Sequence, residues 1–311
     1  MIDPAISLSA IRHRHGEWRT LEDLVDRGLA TEQEITTLSG GGLTRYSVIE
    51  FPVRELFAEC AGDSLTAVGV DPAIVDAVVF FSSTFSSYDD HDDLIDLCWT
   101  MGLIHALPIG LFEAQCSNFS YALMVATSLI HGQGMRTVLL LGADSLDESR
   151  ARRLLPAAGS VFSDTVVSCV VSTEIDSGYA IESVGHVVDP MLATLDPEKD
   201  IIKFIDLFAT RLAQLCAETY ARTDLHSEDF SHFVLANLIV PVLRNYAAVA
   251  GISFSRVPTE NIARFGHCFA HDQLITLATL DKTGAMTQGQ RALAIGIGAN
   301  HLFSSTVLRK L

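Results

Sequence analysis

The sequence predicts an α/β fold built from two halves that repeat one order of elements. Apolar, strand-like segments such as residues 74–81 and 137–141 alternate with segments whose apolar residues recur at helical spacing, such as residues 53–67. Helices followed by buried strands are typical of α/β proteins. The 311 residues also suffice for two halves that each carry a core. We therefore divide the chain into residues 1–175 and 176–311.

The N-terminal half begins with a predicted strand and a charged helical stretch, which stops at the glycines of residues 40–42. A Ser- and Asp-rich segment, residues 82–93, has the composition of a loop. In chain order we predict a strand at 5–11, helices at 18–38 and 53–67, a strand at 74–81, a helix at 94–101, and strands at 137–141 and 166–172.

The C-terminal half is predicted to run through a similar order, although no sequence identity between the halves is visible. We predict a strand at 179–188, a helix at 201–223, a strand at 230–235, helices at 241–249 and 273–280, and strands at 291–297 and 301–308.

Composition excludes several classes of function. The chain is 49% hydrophobic and 19% charged, as globular proteins are. A net charge of -17 and a pI near 4.9 argue against nucleic acid or an anionic membrane as the main partner. The longest apolar run, residues 138–143, is too short to cross a bilayer. The six cysteines lack metal-ligand spacing and no signal-peptide pattern opens the chain, so we expect reduced thiols, no bound metal and a cytoplasmic protein.

Cys116 is the candidate nucleophile. It lies where a short apolar run meets residues 121–130, which are apolar almost all round and therefore predict a buried helix. A cysteine at the start of a helix faces amide donors and the positive end of the helix dipole, which favours the thiolate. The other cysteines are interpreted as small core residues: Cys60, Cys98, Cys169, Cys216 and Cys268.

Five short motifs together carry a family resemblance. They are residues 113–119 around Cys116, Phe162-Ser-Asp164, Leu235-Ala-Asn237, Phe265-Gly-His267 and Gly296-Ile-Gly298-Ala299. In this order and spacing the chain resembles ketoacyl synthase III of the thiolase superfamily over nearly its whole length. The resemblance implies a five-layered αβαβα fold, a homodimer and a pantetheine tunnel that reaches the cysteine. It also implies acyl-CoA or acyl-phosphopantetheine as substrate, with no cofactor held permanently.

Two departures from the condensing members of that family affect the expected reaction. Where those members carry a histidine and an asparagine that hydrogen-bond the thioester carbonyl during decarboxylation, this chain has Val234 and His267. Losing one such donor typically costs ~10²–10³ in rate. His232 shares a strand face with Val234, but a shift of two residues moves a side chain by roughly 6–7 Å. Decarboxylative condensation is therefore disfavoured.

His267 and Asp272 instead resemble the Cys-His-Asp branch of the family, which transfers acyl groups to oxygen, nitrogen or a thiol. In that scheme a histidine deprotonates the acceptor and a carboxylate fixes the imidazole tautomer. Two alternatives stay open: Asp272 as the cap of a helix that begins at Gln273, and His271 as the base. Asp164 is interpreted as structural.

Further candidate residues lie around this group. Asn237 matches the family asparagine that orders the local backbone, and Gly298 and Ala299 occupy the loop whose amide usually completes the oxyanion hole with that of Cys116. Asn300 departs from the glycine-rich pattern there, but it tolerates left-handed geometry. The densest basic cluster is a docking candidate for an acyl carrier protein or for pantetheine phosphate, against the alternative of a solvated helix face: Arg150, Arg152 and Arg153, with Arg244.

The sequence therefore predicts an acyltransferase of secondary metabolism, such as polyketide biosynthesis. It would take an acyl group from a carrier-protein or CoA thioester through acyl-Cys116 to an oxygen, nitrogen or thiol acceptor, without decarboxylation. The alternatives are a decarboxylative 3-oxoacyl-ACP synthase III and a non-catalytic partner subunit of a heteromeric ketosynthase. An intact Cys116 and His267 argue against the last. The acyl group, the small-molecule acceptor and the choice of donor are not readable from the sequence.

Overall fold

The computed structural model describes residues 5–50, 53–84, 89–149, 151–155, 159–197 and 199–311, with the side chains of residues 89–94 left out. Arg150, one of the docking candidates, lies outside the described residues.

The N-terminal half contains nine strands and five helices among the described residues. The strands are β1 (Ser7–His15), β2 (Glu17–Thr20), β3 (Arg45–Val48), β4 (Ala77–Phe81), β5 (Leu107–Leu111), β6 (Thr137–Asp144), β7 (Leu154–Leu155), β8 (Ser160–Val161) and β9 (Thr165–Ser172). The helices are α1 (Glu22–Asp26), α2 (Glu32–Gly40), α3 (Val53–Val68), α4 (Asp89–Thr100) and α5 (Asn118–Gln133).

The C-terminal half contains four strands and four helices among the described residues. The strands are β10 (Tyr179–Val188), β11 (Phe230–Val234), β12 (Arg291–Gly298) and β13 (Leu302–Lys310). The helices are α6 (Ile201–Thr223), α7 (Val240–Val249), α8 (Glu260–Phe265) and α9 (Asp272–Thr283).

Nine strands form one mixed sheet in the order β11-β12-β13-β10-β1-β9-β6-β4-β5. Outward from β1, the strands β9 and β6 are antiparallel to their inner neighbours and β4 is parallel to β6. Outward from β10, the strands β13, β12 and β11 repeat the same sequence of directions. β1 and β10 join the two sets through a short antiparallel pairing. The strand order thus contains the same four-strand pattern twice, while the boundary at residues 175 and 176 stays a prediction.

Three hydrophobic clusters place the helices in layers. One cluster combines apolar residues of α3 and α4 with strands of the N-terminal half, and a second combines α6 and α7 with strands of the C-terminal half. The third lies between the halves and includes α5 and α9 together with strands of both. The helices thus lie outside and between the two four-strand sets of the sheet, and this mixed arrangement confirms the predicted α/β fold. Among the described residues, no helix is both long and apolar enough to span a bilayer.

The largest difference from the predicted elements lies in residues 18–38. This segment is not one helix but β2 followed by α1 and α2, because residues 17–20 pair with β3 as an antiparallel ladder. Thr31 then starts α2 with a capping box that includes Glu34. The predicted loop at 82–93 is also shorter than expected, since α4 begins at Asp89.

Candidate active site

Cys116 lies in a 3₁₀ turn, Gln115–Ser117, immediately before the buried helix α5. Gln115 has a left-handed backbone with φ of 46°, which is uncommon for a residue with a side chain. The turn packs closely on the end of β12, because a Cβ at Gly298 would lie 2.1 Å from the carbonyl oxygen of Ala114. Only glycine fits there, and the position of Cys116 depends on it. Cys116 is partly exposed, whereas the other five cysteines are buried as predicted.

His267 is held by a short backbone bridge to Phe162. The amide of His267 donates to the carbonyl of Val161, and its carbonyl accepts from the amide of Ser163. Gly266 precedes it with φ of 65°, and a Cβ at this position would lie 2.9 Å from the hydroxyl of Ser163. A glycine is therefore required just before the histidine, which explains why the Phe-Gly-His order is informative.

The structure brings the three predicted catalytic residues into one chain of contacts. Cys116 Sγ lies 3.5 Å from His267 Nε2, and His267 Nδ1 lies 2.5 Å from Asp272 Oδ2. Asp272 is fully buried and His267 nearly so. Since Nδ1 faces the carboxylate, Nε2 is left to exchange a proton at the cysteine, as a Cys-His-Asp arrangement requires.

The carboxylate of Asp272 is bound by groups outside its own helix. Oδ2 accepts from the amide of Asn237 at 2.8 Å, and Oδ1 accepts from Asn237 Nδ2 and from the amide of Cys268, each at 2.9 Å. Asn237 Nδ2 also donates to the carbonyl of Gly266. α9 begins at Asp272 rather than at Gln273, and these contacts contradict the alternative in which Asp272 serves as a helix cap.

The charges around His267 favour its protonated form. Burial opposes the imidazolium, but the negative charges of Asp272 and Cys116 outweigh it and raise the pKa of His267 to about 10. At neutral pH the arrangement therefore favours a protonated His267 imidazole.

His271, the alternative base, lies elsewhere. Its ring is completely buried, and its Nε2 is 3.6 Å from Asp144 Oδ2. The imidazole within reach of Cys116 belongs to His267, so the interpretation of His271 as the base is wrong.

β11 carries the two residues that bear on condensation. Val234 is fully buried in the cluster between the halves and has no hydrogen-bonding side chain. His232 lies two residues nearer the start of this strand, and its Nδ1 contacts the hydroxyl of Ser231 at 3.0 Å. It pairs with Ala292, whereas Val234 pairs with Ala294, closer to the end of β12 that packs against Cys116. His232 is therefore no substitute for the missing donor.

The loop after β12 has the unusual backbone that the sequence suggested. Ala299 and Asn300 have φ of 47° and 63°, both left-handed, directly after Gly298. The carbonyl of Ala299 accepts from the ring of His301. Two residues with side chains thus hold left-handed geometry in this loop, and its role as an oxyanion hole stays a prediction.

The docking prediction is wrong for Arg153. Its side chain is buried and forms ion pairs of 2.8 Å with Asp164 and with Glu148. Asp164 also accepts from the amides of Ile49 and Leu146, which supports its interpretation as structural. The guanidinium has no free face for a phosphate.

The other described docking candidates remain on the surface. Arg152 is exposed and pairs with Glu34 at 2.7 Å. Arg244 is exposed and lies over the ring of Phe254 at 4.1 Å. Their role in docking stays a prediction.

Aromatic rings beside His267 were not found from the sequence. Phe162 stacks on His267 with centroids 5.3 Å apart, and Phe269 stacks on Phe162 at 4.2 Å. Phe269 has a left-handed backbone with φ of 55°, which aims its ring toward this group. The pattern Phe-Ser-Asp marked the position of Phe162 but not its contact, because the two rings come from distant parts of the chain.

Comparisons with known proteins agree with this fold. The family described as 3-oxoacyl-[acyl-carrier-protein (ACP)] synthase III C terminal matches residues 220–310. Beta-ketoacyl-[acyl-carrier-protein] synthase III 4 of Streptomyces coelicolor is 23% identical over 299 residues, which cover 93% of each chain. Among solved structures, the acyltransferase ChlB3 superposes with a TM-score of 0.86 at 17% identity, covering 99% of this chain and 98% of that chain. FabH of Pseudomonas aeruginosa PAO1, a 3-oxoacyl-(acyl carrier protein) synthase III, superposes with a TM-score of 0.79 at 20% identity, covering 98% of both chains.

The repeated strand order and the two central helices give a thiolase-like fold, which the chain shares with the superposed structures. The chain is similar to ketoacyl synthase III proteins, and the family match covers residues 220–310.

Removing the carboxylate of Asp164 is expected to destabilise the fold. Asp164→Ala leaves the buried Arg153 without one of its partners, and breaking a buried pair in this way costs about 3–5 kcal/mol of unfolding free energy. Arg152→Ala, which breaks the exposed pair with Glu34 and leaves the capping box of α2 intact, is the control and should cost no more than about 1 kcal/mol. Chemical denaturation measures both. Equal losses would contradict the buried role of Arg153.

Replacing Asp272 is expected to change the titration of His267. In the wild type the imidazole should stay protonated until the pH approaches about 10. Asp272→Asn removes a negative charge while burial remains, so the pKa should fall and the ring should lose its proton at lower pH. NMR of ring-labelled histidine follows the titration, and Asp281→Asn at the other end of α9 is the control. An unchanged His267 titration in Asp272→Asn would refute the charge coupling.

Proposed function

We propose that this protein is an acyltransferase that carries an acyl group on Cys116 and passes it to an oxygen, nitrogen or thiol acceptor without decarboxylation. The contact chain from Cys116 through His267 to Asp272 is the observation that carries the proposal. It supplies a nucleophile, a proton-transfer group and a carboxylate that fixes the tautomer.

The first half-reaction forms the acyl-enzyme. The Cys116 thiolate attacks the carbonyl carbon of a donor thioester and a new C–S bond forms. As the tetrahedral intermediate collapses, the old C–S bond breaks and the leaving thiolate takes the proton from His267 Nε2. The amides of Cys116 and Ala299 are the proposed donors to the oxyanion.

The second half-reaction returns the enzyme to its starting state. Neutral His267 accepts the proton of the acceptor hydroxyl, amine or thiol as that atom attacks the acyl carbon. The bond to Cys116 breaks, and the thiolate again faces an imidazolium. Asp272 keeps Nδ1 protonated throughout, so Nε2 alone shuttles the proton.

Donor and location are parts of the same proposal. The name of the Streptomyces coelicolor relative includes an acyl carrier protein, and a carrier-bound or CoA-bound acyl thioester is the donor we propose. The neighbour ChlB3 is an acyltransferase, which supports the assignment to this branch of the superfamily. A homodimer in the cytoplasm, working in secondary metabolism, completes the proposal.

The second candidate is a decarboxylative 3-oxoacyl-ACP synthase III, favoured by the name of that same relative. Condensation needs two donors at the malonyl carbonyl, and Val234 offers none. A valine at position 234 therefore favours acyl transfer without decarboxylation over condensation.

The fate of a labelled malonyl carboxyl group tests this distinction. With the free carboxyl carbon of a malonyl thioester labelled, we expect the label to stay in the acylated peptide of Cys116 and in the product. Cys116→Ala should carry no acyl increment by mass spectrometry. Release of labelled carbon dioxide in step with a β-ketoacyl product would identify a condensing enzyme instead.

The two half-reactions should respond differently to His267→Ala. Acylation needs a thiolate, which the start of α5 still favours, whereas transfer needs a base. The variant should therefore accumulate acyl-Cys116 and transfer it slowly, a loss of about 10²–10⁴-fold. Rapid-quench measurements of each step decide the matter. Equal slowing of both steps would remove His267 from the role of acceptor base.

A further inference from the structure

A second acid–imidazole contact lies behind the catalytic one. Asp144 ends β6, and His271 immediately precedes Asp272. Both side chains are completely buried, with His271 Nε2 3.6 Å from Asp144 Oδ2. Neither residue takes part in the acyl transfer described above.

The two carboxyl oxygens of Asp144 have different surroundings. Oδ1 accepts from the hydroxyl of Ser82 at 2.9 Å, the amide of Ser83 at 2.7 Å, and the amide and hydroxyl of Thr84 at 2.9 and 3.0 Å. Oδ2 has no hydrogen-bond partner among the described residues and faces His271. Burial raises the pKa of Asp144 to about 7 despite these donors. A protonated carboxyl group has one oxygen that only accepts hydrogen bonds and one that carries the proton and can donate it. The surroundings of Asp144 match this, because all four donors reach Oδ1 and an imidazole nitrogen lies near Oδ2.

The ring of His271 is kept close to Asp144 by its neighbours. A Cβ at Gly142 would lie 2.6 Å from Nε2, so only glycine leaves room for the ring. Phe81 packs edge-on against it at 5.2 Å. Neither ring nitrogen has a hydrogen-bond partner in the described part of the chain.

Several titratable groups lie around His271, and burial favours its neutral ring. These groups are Asp144 on β6, His267 on the same turn, and His13 and His15 on β1. Burial and the positive charge of His267 lower the pKa of His271 to about 3. A neutral imidazole offers Nε2 as an acceptor when its proton is on Nδ1.

We propose that Asp144 and His271 are positioning residues, in which the Oδ2–H of a neutral Asp144 is directed at Nε2 of a neutral His271. This contact ties the turn that carries His267 and Asp272 to residues 82–84, the loop after β4. The distance of 3.6 Å exceeds a hydrogen bond by about 0.4 Å. The proposed hydrogen bond therefore requires the two side chains to approach each other by about this amount.

The proposal deepens the proposed function, because it rests on Cys116 and His267 as the reacting pair. A displacement of about 1 Å at such a pair costs up to about 10²-fold in rate. His271 immediately precedes Asp272, so a shift of the backbone turn that carries the ring also moves the residue whose carboxylate orients His267.

Three variants test whether Asp144 and His271 act as a neutral hydrogen-bond donor and acceptor or only fill space. Asp144→Asn keeps an oxygen for the four donors and places an N–H where the proposal puts O–H. His271→Gln keeps an acceptor near the position of Nε2, whereas His271→Leu fills the space without one. Tyr179→Phe is the control, since it removes buried hydrogen bonds to Leu277 and Asp281 at the far end of α9.

The measured quantities are the alkylation rate of Cys116 by iodoacetamide from pH 5 to 10 and the rate of acyl transfer. We expect His271→Leu to shift the pH profile of alkylation and to slow transfer by about 10- to 100-fold. Asp144→Asn, His271→Gln and Tyr179→Phe should keep the wild-type profile, whatever their melting temperatures. Alkylation needs no acyl substrate, so this readout stands even if the proposed transfer reaction is wrong.

Two results would overturn the proposal. If His271→Leu keeps the profile and transfer rate of Tyr179→Phe, the pair only fills space. If Asp144→Asn is as impaired as His271→Leu, Asp144 acts as a charged carboxylate and not as a neutral donor.

Discussion

The buried carboxylate of Asp272 is the constraint on which the candidate site depends. A charge out of contact with water is costly unless every lone pair is used, and this one accepts from the ring of His267, the amide of Cys268, and the amide and side chain of Asn237. These donors come from the turn before α9 and from the segment after β11. The need to satisfy one carboxylate therefore fixes two chain segments and the histidine together.

The repeated strand order explains why the reactive groups meet. α5 and α9 are the two helices in the layer between the halves, and each begins at the site. Cys116 lies two residues before α5, and Asp272 is the first residue of α9. The halves thus present equivalent helix starts, one carrying the nucleophile candidate and the other its orienting acid.

Long elements and short motifs were predictable, whereas long-range contacts were not. β10 and α6 have the predicted bounds, since their apolar periodicity is sustained over ten or more residues. The catalytic candidates followed from motif order. The burial of Arg153 was missed because its partner Asp164 lies 11 residues further along the chain, just before β9, and nothing local distinguishes a buried arginine from a solvated one. The facing of His271 and Asp144 likewise depends on the tertiary fold alone.

The left-handed residues beside the site have a consequence for sequence change. Gln115 and Phe269 each have a left-handed backbone conformation, which costs a residue with a side chain roughly 1–3 kcal/mol. Gln115 precedes Cys116, and the ring of Phe269 stacks near His267. Selection for a more stable protein would favour relaxing both positions, while selection for a faithful reaction would keep them strained. Homologues adapted to heat and homologues adapted to a demanding substrate should therefore diverge first at these two residues.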